Sequence, residues 1–311
     1  MRRTYVRYIM NMVIFMSDKF SYQTITCKSA LNKIDSFLPY HYDLNIYRGC
    51  EHHCVYCFAK YSHRYLEDNQ FFNHIYIKEN IVEELEKKLS SKSWKRDVIN
   101  LGGITDSYQP IEEEMKLMPE ILKLLIKYKT PAIISTKSSL ILRDIDLLKE
   151  LSKVAGVQIA CTITTLDQNL ASIIEPNASS VKKRIQTIQK LGEEGLTVGW
   201  HLMPIIPYIT ATRNNLKNIF EVASKCKVDY MITGLLNLRG ITRTDFFQFI
   251  LTSFPEKHQK LWNLYHQKNK MKEYKIQLFK LLNQLEKEYQ VNRNYKKYVP
   301  KGKEQTQLEL F

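Results

Sequence analysis

Three cysteines lie within eight residues, at Cys50, Cys54 and Cys57, with the spacing C-x3-C-x2-C. Thiolates are soft ligands, and this spacing brings three of them within reach of one small metal centre. A four-iron cluster normally takes four cysteine ligands. Three ligands would leave one iron with an open coordination site, and an open site on a metal is where chemistry can occur. The pattern therefore predicts a catalytic iron–sulfur centre.

Zinc is the alternative metal for these thiols. A structural zinc knuckle would combine the three cysteines with one histidine, drawn from His41, His52 or His53. Such a site should close with a fourth ligand at a fixed spacing, and this requirement favours iron–sulfur over zinc. Three unrelated thiols are the third interpretation.

The residues around the cysteines resemble the radical S-adenosylmethionine (SAM) superfamily. Tyr56, the aromatic residue before the last cysteine, fits the pattern of that superfamily. The wider string, with SALN, NIYRGC and YCFA in succession, is similar to the spore photoproduct lyase-like branch. The resemblance implies that Cys50, Cys54 and Cys57 hold a [4Fe-4S] cluster. Its open iron would chelate the amino and carboxylate groups of SAM, with Tyr56 beside the cofactor.

The composition is that of a globular protein with a strong positive charge. At 311 residues and 44% hydrophobic content, the chain can form one large α/β domain or two small ones. Six cysteines with three clustered do not suggest a disulfide framework, so we expect a reducing cytoplasm. No stretch approaches the roughly 18 apolar residues of a membrane helix, and we expect no membrane partner. The net charge of +14 has two explanations, nucleic-acid binding through phosphate neutralisation and a genome that favours Lys, Asn and Ile.

Residues 1–28 precede the family-like region and are predicted to be an N-terminal extension. Met1-Arg2-Arg3 followed by the apolar run Tyr8–Met16 imitates a signal peptide. The run is short and leads to no small-residue cleavage site, so we expect no signal peptide. Met1 and Met16 both stay open as the native start.

Strand-like and helix-like runs alternate through residues 29–240. Such alternation predicts parallel strands joined by right-handed crossovers. Six units fit the α/β fold that the resemblance implies, the partial (β/α)6 TIM-type barrel of the radical SAM core. The predicted strands cover residues 43–47, 98–102, 132–135, 157–163, 197–203 and 230–233. The predicted helices lie within residues 61–97, 118–128, 142–154, 181–194 and 214–225.

The end of the chain departs from this alternation. We expect a C-terminal helical region over residues 241–291, packed on the barrel as an extension. Residues 292–311 form a basic tail, of which 292–304 is rich in Lys, Asn and Tyr and is predicted to be disordered.

The last five residues, QLELF, resemble the QL-x-LF peptide by which bacterial DNA repair and replication proteins bind the sliding clamp. The matching residues are Gln307, Leu308, Leu310 and Phe311. A flexible tether would present Leu310 and Phe311 as apolar anchors to a preformed pocket. The alternative is an amphipathic tail without a partner. A true match would favour DNA as the working surface.

Ligands of barrel-like α/β folds bind at the C-terminal ends of the strands. Gly102 and Gly103 follow the second predicted strand, and paired glycines let a ligand approach bare backbone. The resemblance places the glycine-rich SAM-amine motif here, and Thr105 and Asp106 follow within the TDSYQPIE string. An ordinary turn is the alternative.

The third and fourth strands supply further candidates for SAM binding. Ser135 and Lys137 follow the third strand, where a lysine can meet a carboxylate and a hydroxyl can meet a ribose. Strand side chains alternate between faces, so Thr162 and Thr164 are predicted to point into the lumen and Cys161 toward the helices. For Lys137, a solvated loop position is the alternative.

Glu175 and Arg184 come after the fourth strand. They resemble the segment of the family that lies near SAM, although Arg184 could instead be a solvated helix charge. On the fifth strand, His201 is predicted to face the lumen, either beside substrate or as a hydrogen-bonded core histidine.

The resemblance also implies the chemistry. A reductant such as flavodoxin or ferredoxin would supply an electron through the cluster. SAM would then be cleaved to a 5′-deoxyadenosyl radical that abstracts hydrogen from a substrate held in the barrel. The namesake of the branch repairs a thymine dimer and carries a cysteine hydrogen donor where this chain has Gly103. We therefore expect a related radical reaction rather than genuine lyase activity.

Three functions stay open at this point. The first is a radical SAM enzyme acting on DNA or a DNA lesion, as in DNA repair. The second is a radical SAM enzyme acting on a peptide, an RNA or a small molecule. The third is a non-catalytic, metal-stabilised module that associates with DNA.

Overall fold

The computed structural model describes residues 6–9, 12–16, 19–34, 38–66 and 68–301. The strands are β1 Val6–Ile9, β2 Met12–Met16, β3 Ser21–Ile25, β4 Leu31–Lys33, β5 Tyr42–Leu44, β6 Tyr47–Arg48, β7 His74–Lys78, β8 Ile99–Leu101, β9 Ala132–Thr136, β10 Val157–Thr162, β11 Thr197–Ile205 and β12 Tyr230–Leu235. The α-helices are α1 Ile81–Leu89, α2 Glu112–Met115, α3 Leu117–Lys127, α4 Ile145–Val154, α5 Gln168–Ile174, α6 Val181–Glu193, α7 Arg213–Lys225, α8 Gly240–Ser253, α9 Pro255–His266 and α10 Lys268–Tyr289. Short 3-10 helices cover Phe58–Leu66, Ser139–Asp144 and Tyr295–Tyr298.

The central sheet has the order β12-β11-β10-β9-β8-β5-β4. From β5 to β12 the neighbouring strands are parallel and follow chain order, whereas β4 pairs antiparallel with β5 at the edge. The predicted alternation of parallel strands and helices is therefore confirmed. The first predicted strand, residues 43–47, is wrong in extent, because it divides into β5 and β6 and β6 lies in another sheet.

The helices bury one face against this sheet. In α1 the buried residues are Ile81, Leu85 and Leu89, which share one helical face. On β10, Ile159 and Cys161 belong to the main apolar core, as the alternation of strand side chains predicts. Each fully buried aliphatic side chain of this kind contributes about 1.5–3 kcal/mol. Within the described ranges, no helix combines the length and apolarity needed to span a membrane.

A second sheet, with the order β1-β2-β3-β7-β6, was not predicted. Its strand β3 comes from the predicted N-terminal extension and pairs in parallel with β7. Tyr22 on β3 is 2% exposed, so this part of the extension packs against the rest of the protein. The sheet matters for the site because β6 leads directly into Cys50.

The segment after α10 crosses the N-terminal end of the barrel strands. The amide of Met231 on β12 donates to Asn292 O at 2.7 Å, and Tyr298 stacks on Tyr230 with 5.7 Å between ring centroids. Gln158 on β10 donates to Tyr295 O at 3.4 Å. The prediction of disorder from residue 292 is therefore wrong for the described part, because these contacts tie the segment to two strands.

Candidate active site

The loop that carries the three cysteines, residues 49–57, begins at Gly49 directly after β6. Gly49 has φ +82°, and a Cβ here would lie 2.3 Å from His74 O. A side chain at this position would therefore collide with β7 backbone. Cys50 N donates to Phe71 O at 3.1 Å, Cys57 N donates to Cys54 O at 3.0 Å, and Thr242 on α8 donates to Cys57 O at 3.0 Å.

The three thiols face apolar surroundings. Cys50 packs with Ala59 and Phe71, whereas Cys54 belongs to a larger cluster, and Cys57 adjoins both groups. Burial raises the pKa of all three thiols, that of Cys54 to about 12. Apolar burial disfavours the thiolate, so the charged form of these thiols would need a nearby cation to stabilise it.

The histidines of the loop are engaged elsewhere. His52 Nε2 lies 3.0 Å from Asp106 Oδ2, and its Nδ1 lies 3.3 Å from Asn177 O. His53 stacks on Phe72 with 4.2 Å between ring centroids. These contacts argue against either histidine as a fourth zinc ligand.

One side of the loop is held by residues that follow the second barrel strand, β8. Glu51 N donates to Gln109 Oε1 at 2.8 Å. The buried carboxylate of Glu51 accepts from Ile111 N at 2.7 Å and from the Tyr22 hydroxyl at 2.9 Å. The loop is thus fixed both to the barrel and to the second sheet.

The opposite side of the loop is held by residues 174–177. Val55 N donates to Ile174 O at 3.1 Å, and Asn177 Nδ2 donates to Glu51 O at 2.7 Å. The hydroxyl of Tyr56 donates to Glu175 Oε1. Residues 174–177 therefore hold the cysteine loop through hydrogen bonds to the loop backbone and to the Tyr56 hydroxyl.

Glu175 and Arg184 form a buried ion pair. Arg184 Nη1 donates to Glu175 Oε2 at 2.6 Å and to Thr162 O at 2.7 Å, and both side chains are at most 2% exposed. Burial alone would raise the pKa of Glu175, but Arg184 and Lys137 together hold it below its ordinary value. The alternative of a solvated Arg184 is wrong, because this side chain joins α6 to β10 and to the segment that grips the loop.

Asp106 is a centre of hydrogen bonding beneath the loop. Besides His52, its carboxylate accepts from the Thr136 hydroxyl at 2.8 Å, Lys137 N at 2.7 Å and Tyr108 N at 2.9 Å. Burial would raise the pKa of Asp106, but His52 and the other donors lower it to about 2. Asp106 thereby joins the loop after β8 to β9 and to the cysteine loop.

The residues before Asp106 are crowded. Gly102 has φ +86°, and a Cβ there would lie 2.1 Å from Ser135 O. A Cβ at Gly103 would lie 2.9 Å from Asn100 Nδ2, which is itself held by Asp43. Thr105 is buried, and its hydroxyl donates to Tyr47 O at 3.4 Å.

The remaining predicted residues lie at the C-terminal ends of the central strands. The ammonium of Lys137 is 5.8 Å from the centre of the Tyr56 ring, and Ser135 is half-buried. Burial acts to lower the pKa of Lys137, but the nearby acids, Cys54 and Glu175 foremost, raise it overall. The hydroxyl of Thr164 is buried and has no hydrogen-bond partner among the described residues.

His201 on β11 is 5% exposed. Burial, followed by the positive charge of Lys137, lowers its pKa to about 4. The imidazole is therefore neutral near pH 7, and it adds no charge to the lumen.

The comparison with protein families decides the class. Residues 44–218 match the model of the Radical SAM superfamily. The chain belongs to the radical SAM superfamily. The uncharacterized protein Rv2578c of Mycobacterium tuberculosis is 32% identical over 254 residues, which are 80% of this chain and 74% of that protein. The uncharacterized protein MJ0683 of Methanocaldococcus jannaschii is 29% identical over 225 residues, which are 71% of this chain and 80% of that protein.

Solved structures extend the radical SAM assignment to the fold. A spore photoproduct lyase with bound AdoMet and dinucleoside spore photoproduct superimposes with a TM-score of 0.57. The match covers 74% of this chain and 66% of that chain, at 13% sequence identity. At this identity the likeness is one of fold, and it agrees with the predicted TIM-type radical SAM barrel.

A radical SAM protein uses a [4Fe-4S] cluster and SAM, and these are the cofactors of this protein. The thiols suit such a cluster, because they are soft ligands in an apolar setting and Cys57 adjoins the surroundings of the other two. Within the part of the chain that the structure describes, no three His, Cys, Asp or Glu side chains are placed to hold a metal ion. This finding applies equally to the three cysteine thiols, so the choice of iron–sulfur over zinc rests on the superfamily match and on the contacts of His52 and His53.

Several residues of this radical SAM site were missed or misjudged from the sequence. Glu51, Gln109 and Asn177 hold the cysteine loop, and His52 was considered as a zinc ligand only. Gln109 lies within the TDSYQPIE string and Asn177 lies two residues after Glu175. The sequence therefore placed both residues near the site, but it did not show that they hold the cysteine loop. The clamp-like residues 307–311 lie outside the described residues.

Proposed function

We propose that this protein is a radical SAM enzyme that acts on DNA, at a damaged or otherwise altered base. The observation that carries the proposal is a cysteine loop buried in the mouth of a barrel whose chain has a net charge of +14. A cationic protein attracts the phosphate backbone. The fold likeness to a lyase solved with a dinucleoside photoproduct supports the same substrate class.

The cofactors and the residues divide the work. When bound, the reduced cluster and SAM supply a 5′-deoxyadenosyl radical for hydrogen abstraction. We assign Cys50, Cys54 and Cys57 as the cluster ligands. We assign Lys137 to the carboxylate of SAM, because it is a partly buried cation beside Tyr56 and Cys54.

Other predicted SAM-binding residues act on the site in two ways. Gly102, Gly103, Ser135, Thr162 and Thr164 lie at strand ends where SAM can contact backbone and hydroxyl groups. The Thr105 hydroxyl, the carboxylates of Asp106 and Glu175, and Nη1 of Arg184 are hydrogen-bonded to protein partners. We propose that these four position the cysteine loop and Tyr56, and that they affect SAM through that placement.

The C-terminal helices exclude water from this site. Phe246, Phe247 and Ile250 of α8 belong to the same apolar cluster as Cys54 and Tyr56. A radical intermediate needs a closed, dry site to avoid side reactions. The C-terminal helical region therefore contributes to the proposed reaction by keeping water away from the site.

Genuine spore photoproduct lyase activity is not part of the proposal. The position of the lyase-branch cysteine donor is Gly103, and a Cβ there would meet Asn100 at 2.9 Å. Asn100 is tied to Asp43 at 2.7 Å, so a cysteine side chain would have to displace a hydrogen-bonded pair. We infer that the substrate radical is quenched in another way or that the product differs.

The partners follow from the same proposal. An electron donor such as flavodoxin or ferredoxin reduces the cluster, and all six cysteines are free thiols, which suits the cytoplasm. We further propose that Gln307, Leu308, Leu310 and Phe311 bind a bacterial sliding clamp. Deletion of residues 307–311 should abolish clamp binding in a pull-down and leave SAM cleavage unchanged.

The decisive experiment uses anaerobically reconstituted, full-length protein with dithionite and SAM deuterated at the 5′ carbon. It is offered ultraviolet-irradiated DNA, undamaged DNA, RNA and a peptide pool in parallel. The expected result is 5′-deoxyadenosine formation, with deuterium exchange or a new product in the DNA samples. Products from RNA or peptide alone would overturn the DNA assignment. Absence of 5′-deoxyadenosine in every sample would overturn the enzyme assignment.

A further inference from the structure

Three aromatic rings lie in a column on one face of α9. His258, Trp262 and His266 are four residues apart, so they follow one another on successive turns. The ring centroids of His258 and Trp262 are 6.0 Å apart at 23°, and those of Trp262 and His266 are 3.9 Å apart at 26°. We call these three residues the aromatic column.

The exposed end of the column is held in place by hydrogen bonds. His266 Nδ1 lies 2.8 Å from Trp262 O, and its Nε2 lies 2.9 Å from Arg243 Nη2. Arginine can only donate, so Nε2 is the acceptor and Nδ1 carries the proton. The exposed imidazole is thereby locked over the indole instead of rotating in solvent.

The aromatic column packs against a residue of the apolar cluster that contains Cys54 and Tyr56. Phe247 of α8 contacts Trp262 edge-on at 5.1 Å and belongs to the apolar cluster that contains Cys54 and Tyr56. One aromatic layer therefore separates the column from the residues at the barrel mouth. Trp262 is 42% exposed, so part of its indole ring is accessible from solvent.

The charge at the column suits a nucleotide. The hydrogen bonds of Arg243 go to His266 Nε2 and, at 3.4 Å, to Tyr265 O, which are both neutral acceptors. Its positive charge therefore stays available for a phosphate. Residues 241–311, the part of the sequence that contains α9, carry 14 basic and 7 acidic side chains, so this part of the chain has a net positive charge.

We propose that the aromatic column binds an unpaired base of the DNA substrate, with Arg243 on the adjacent phosphate. The proposal rests on the proposed function and adds a recognition site to it. Stacked aromatic side chains beside cations are how proteins bind single-stranded nucleic acid, because every base has a π-face. A substrate base must also leave its duplex to enter a closed barrel, so an unpaired neighbouring base is available for stacking.

Tryptophan fluorescence tests this directly in the unmodified holoenzyme. Of the three tryptophans, Trp94 and Trp200 are buried and Trp262 is exposed, so quenching by a stacked base reports on the column. The probes are a 12-nucleotide single-stranded DNA, its duplex, the RNA of the same sequence and heparin. We expect saturable quenching by single-stranded DNA at the lowest concentration. Equal quenching by heparin or by duplex, or tighter binding of the RNA, would overturn the proposal.

Matched variants give a second readout that does not need quenching. Trp262→Ala should weaken binding of fluorescein-labelled single-stranded DNA about ten-fold, whereas Trp262→Phe should stay within about three-fold. Phe279→Ala on α10 is the control, since Phe279 is also an exposed aromatic residue. The proposal fails if Trp262→Ala binds as well as the unmodified protein, or if Phe279→Ala loses as much. If Trp262→Ala does not fold, the affinities of Trp262→Phe and Arg243→Gln for the same DNA are compared instead. Arg243→Gln removes the phosphate contact and should bind more weakly than Trp262→Phe, and equal affinities would overturn the proposal.

The two proposals fail separately. Transfer of label to irradiated DNA with no effect of Trp262→Ala on binding would leave the function intact and remove the column. Trp262-dependent binding without any DNA product would leave the column as a nucleic-acid site and remove the proposed reaction.

Discussion

The ion pair between Glu175 and Arg184 allows a quantitative test of how the cysteine loop is held. Glu175→Gln keeps the shape of the side chain and one acceptor oxygen, which can face Arg184, but it removes the negative charge and the acceptor for Tyr56. Arg184 is 1% exposed, so its guanidinium would be left buried without a counter-charge. Lys137 would also lose one of the acids that raise its pKa.

The expected cost is large for a single substitution. Breaking a buried ion pair by removing one partner costs about 3–5 kcal/mol. Glu175→Gln should lie near about 3 kcal/mol, since the amide oxygen can still accept from Arg184. The double variant Glu175→Gln/Arg184→Gln should lose less than the sum of the two single variants, with a coupling of about 1–3 kcal/mol.

The assay combines anaerobic urea unfolding with the rate of 5′-deoxyadenosine formation. Glu221→Gln is the matched control, because Glu221 pairs with Lys225 at 2.6 Å on the exposed face of α7. A surface pair of this kind should change neither stability nor rate measurably. Tyr56→Phe separates the lost hydrogen bond from the lost charge.

The reasoning is refuted if Glu175→Gln is no more destabilising than Glu221→Gln, or if the double variant shows simple additivity. Normal stability with a lower rate would instead mean that Glu175 contacts SAM directly, as the sequence resemblance implies. That outcome would remove Glu175 from the set of residues that position the loop.

Four further predictions follow from the site and the fold. Cys54→Ala should abolish 5′-deoxyadenosine formation and the cluster absorbance, and retained activity would contradict the ligand assignment. Lys137→Ala should weaken SAM binding about ten-fold by calorimetry, and unchanged affinity would exclude Lys137 from the pocket. Ending the chain after Gln290 should destabilise it by at least about 2 kcal/mol, because buried Val291 and the strand contacts are lost, whereas ending it after Lys301 should not. His201 has a pKa of about 4 in the fold, so the unfolded chain binds more protons between pH 6.5 and 4. Stability should fall as pH falls through that window, by up to about 3 kcal/mol, and His201→Gln should flatten the profile.

The barrel strands β8, β9, β10 and β11 were predictable because each is a short apolar run followed by a helix with one apolar face. Val157–Thr162 lies within its predicted range, and strand alternation correctly assigned Cys161 to the core. The second sheet was not predictable in the same way. Its strands β3 and β7 are about fifty residues apart in sequence and of mixed polarity, and their pairing depends on contacts that no local pattern encodes.

The tail shows why composition misleads at a chain end. Residues 292–301 are rich in Lys, Asn and Tyr, which is typical of disorder. Their backbone groups nevertheless bond to Met231 and Gln158, and Tyr298 stacks on Tyr230. Arg293 adds an ion pair with Glu286 at 2.7 Å, so specific contacts outweigh a composition that is typical of disorder.

The candidate site was likewise only partly predictable from the sequence. Residue types and spacing were enough to predict Cys50, Cys54 and Cys57 as ligands, because a metal ligand has to be a specific side chain at a specific place. The residues that hold the loop had no such signature, since Gln109, Glu51 and Asn177 act through hydrogen bonds that many polar residues can make. Asp106 and Glu175 were predicted to bind SAM, whereas we propose that they position the loop, because their carboxylates accept hydrogen bonds from Lys137 N and Arg184 Nη1 among others. A substitution at a carboxylate whose oxygens already accept hydrogen bonds from the protein can affect SAM binding only by moving the loop. Variants at Asp106 should therefore alter the cluster spectrum and the SAM affinity together. A substitution of a direct SAM ligand should alter the affinity alone.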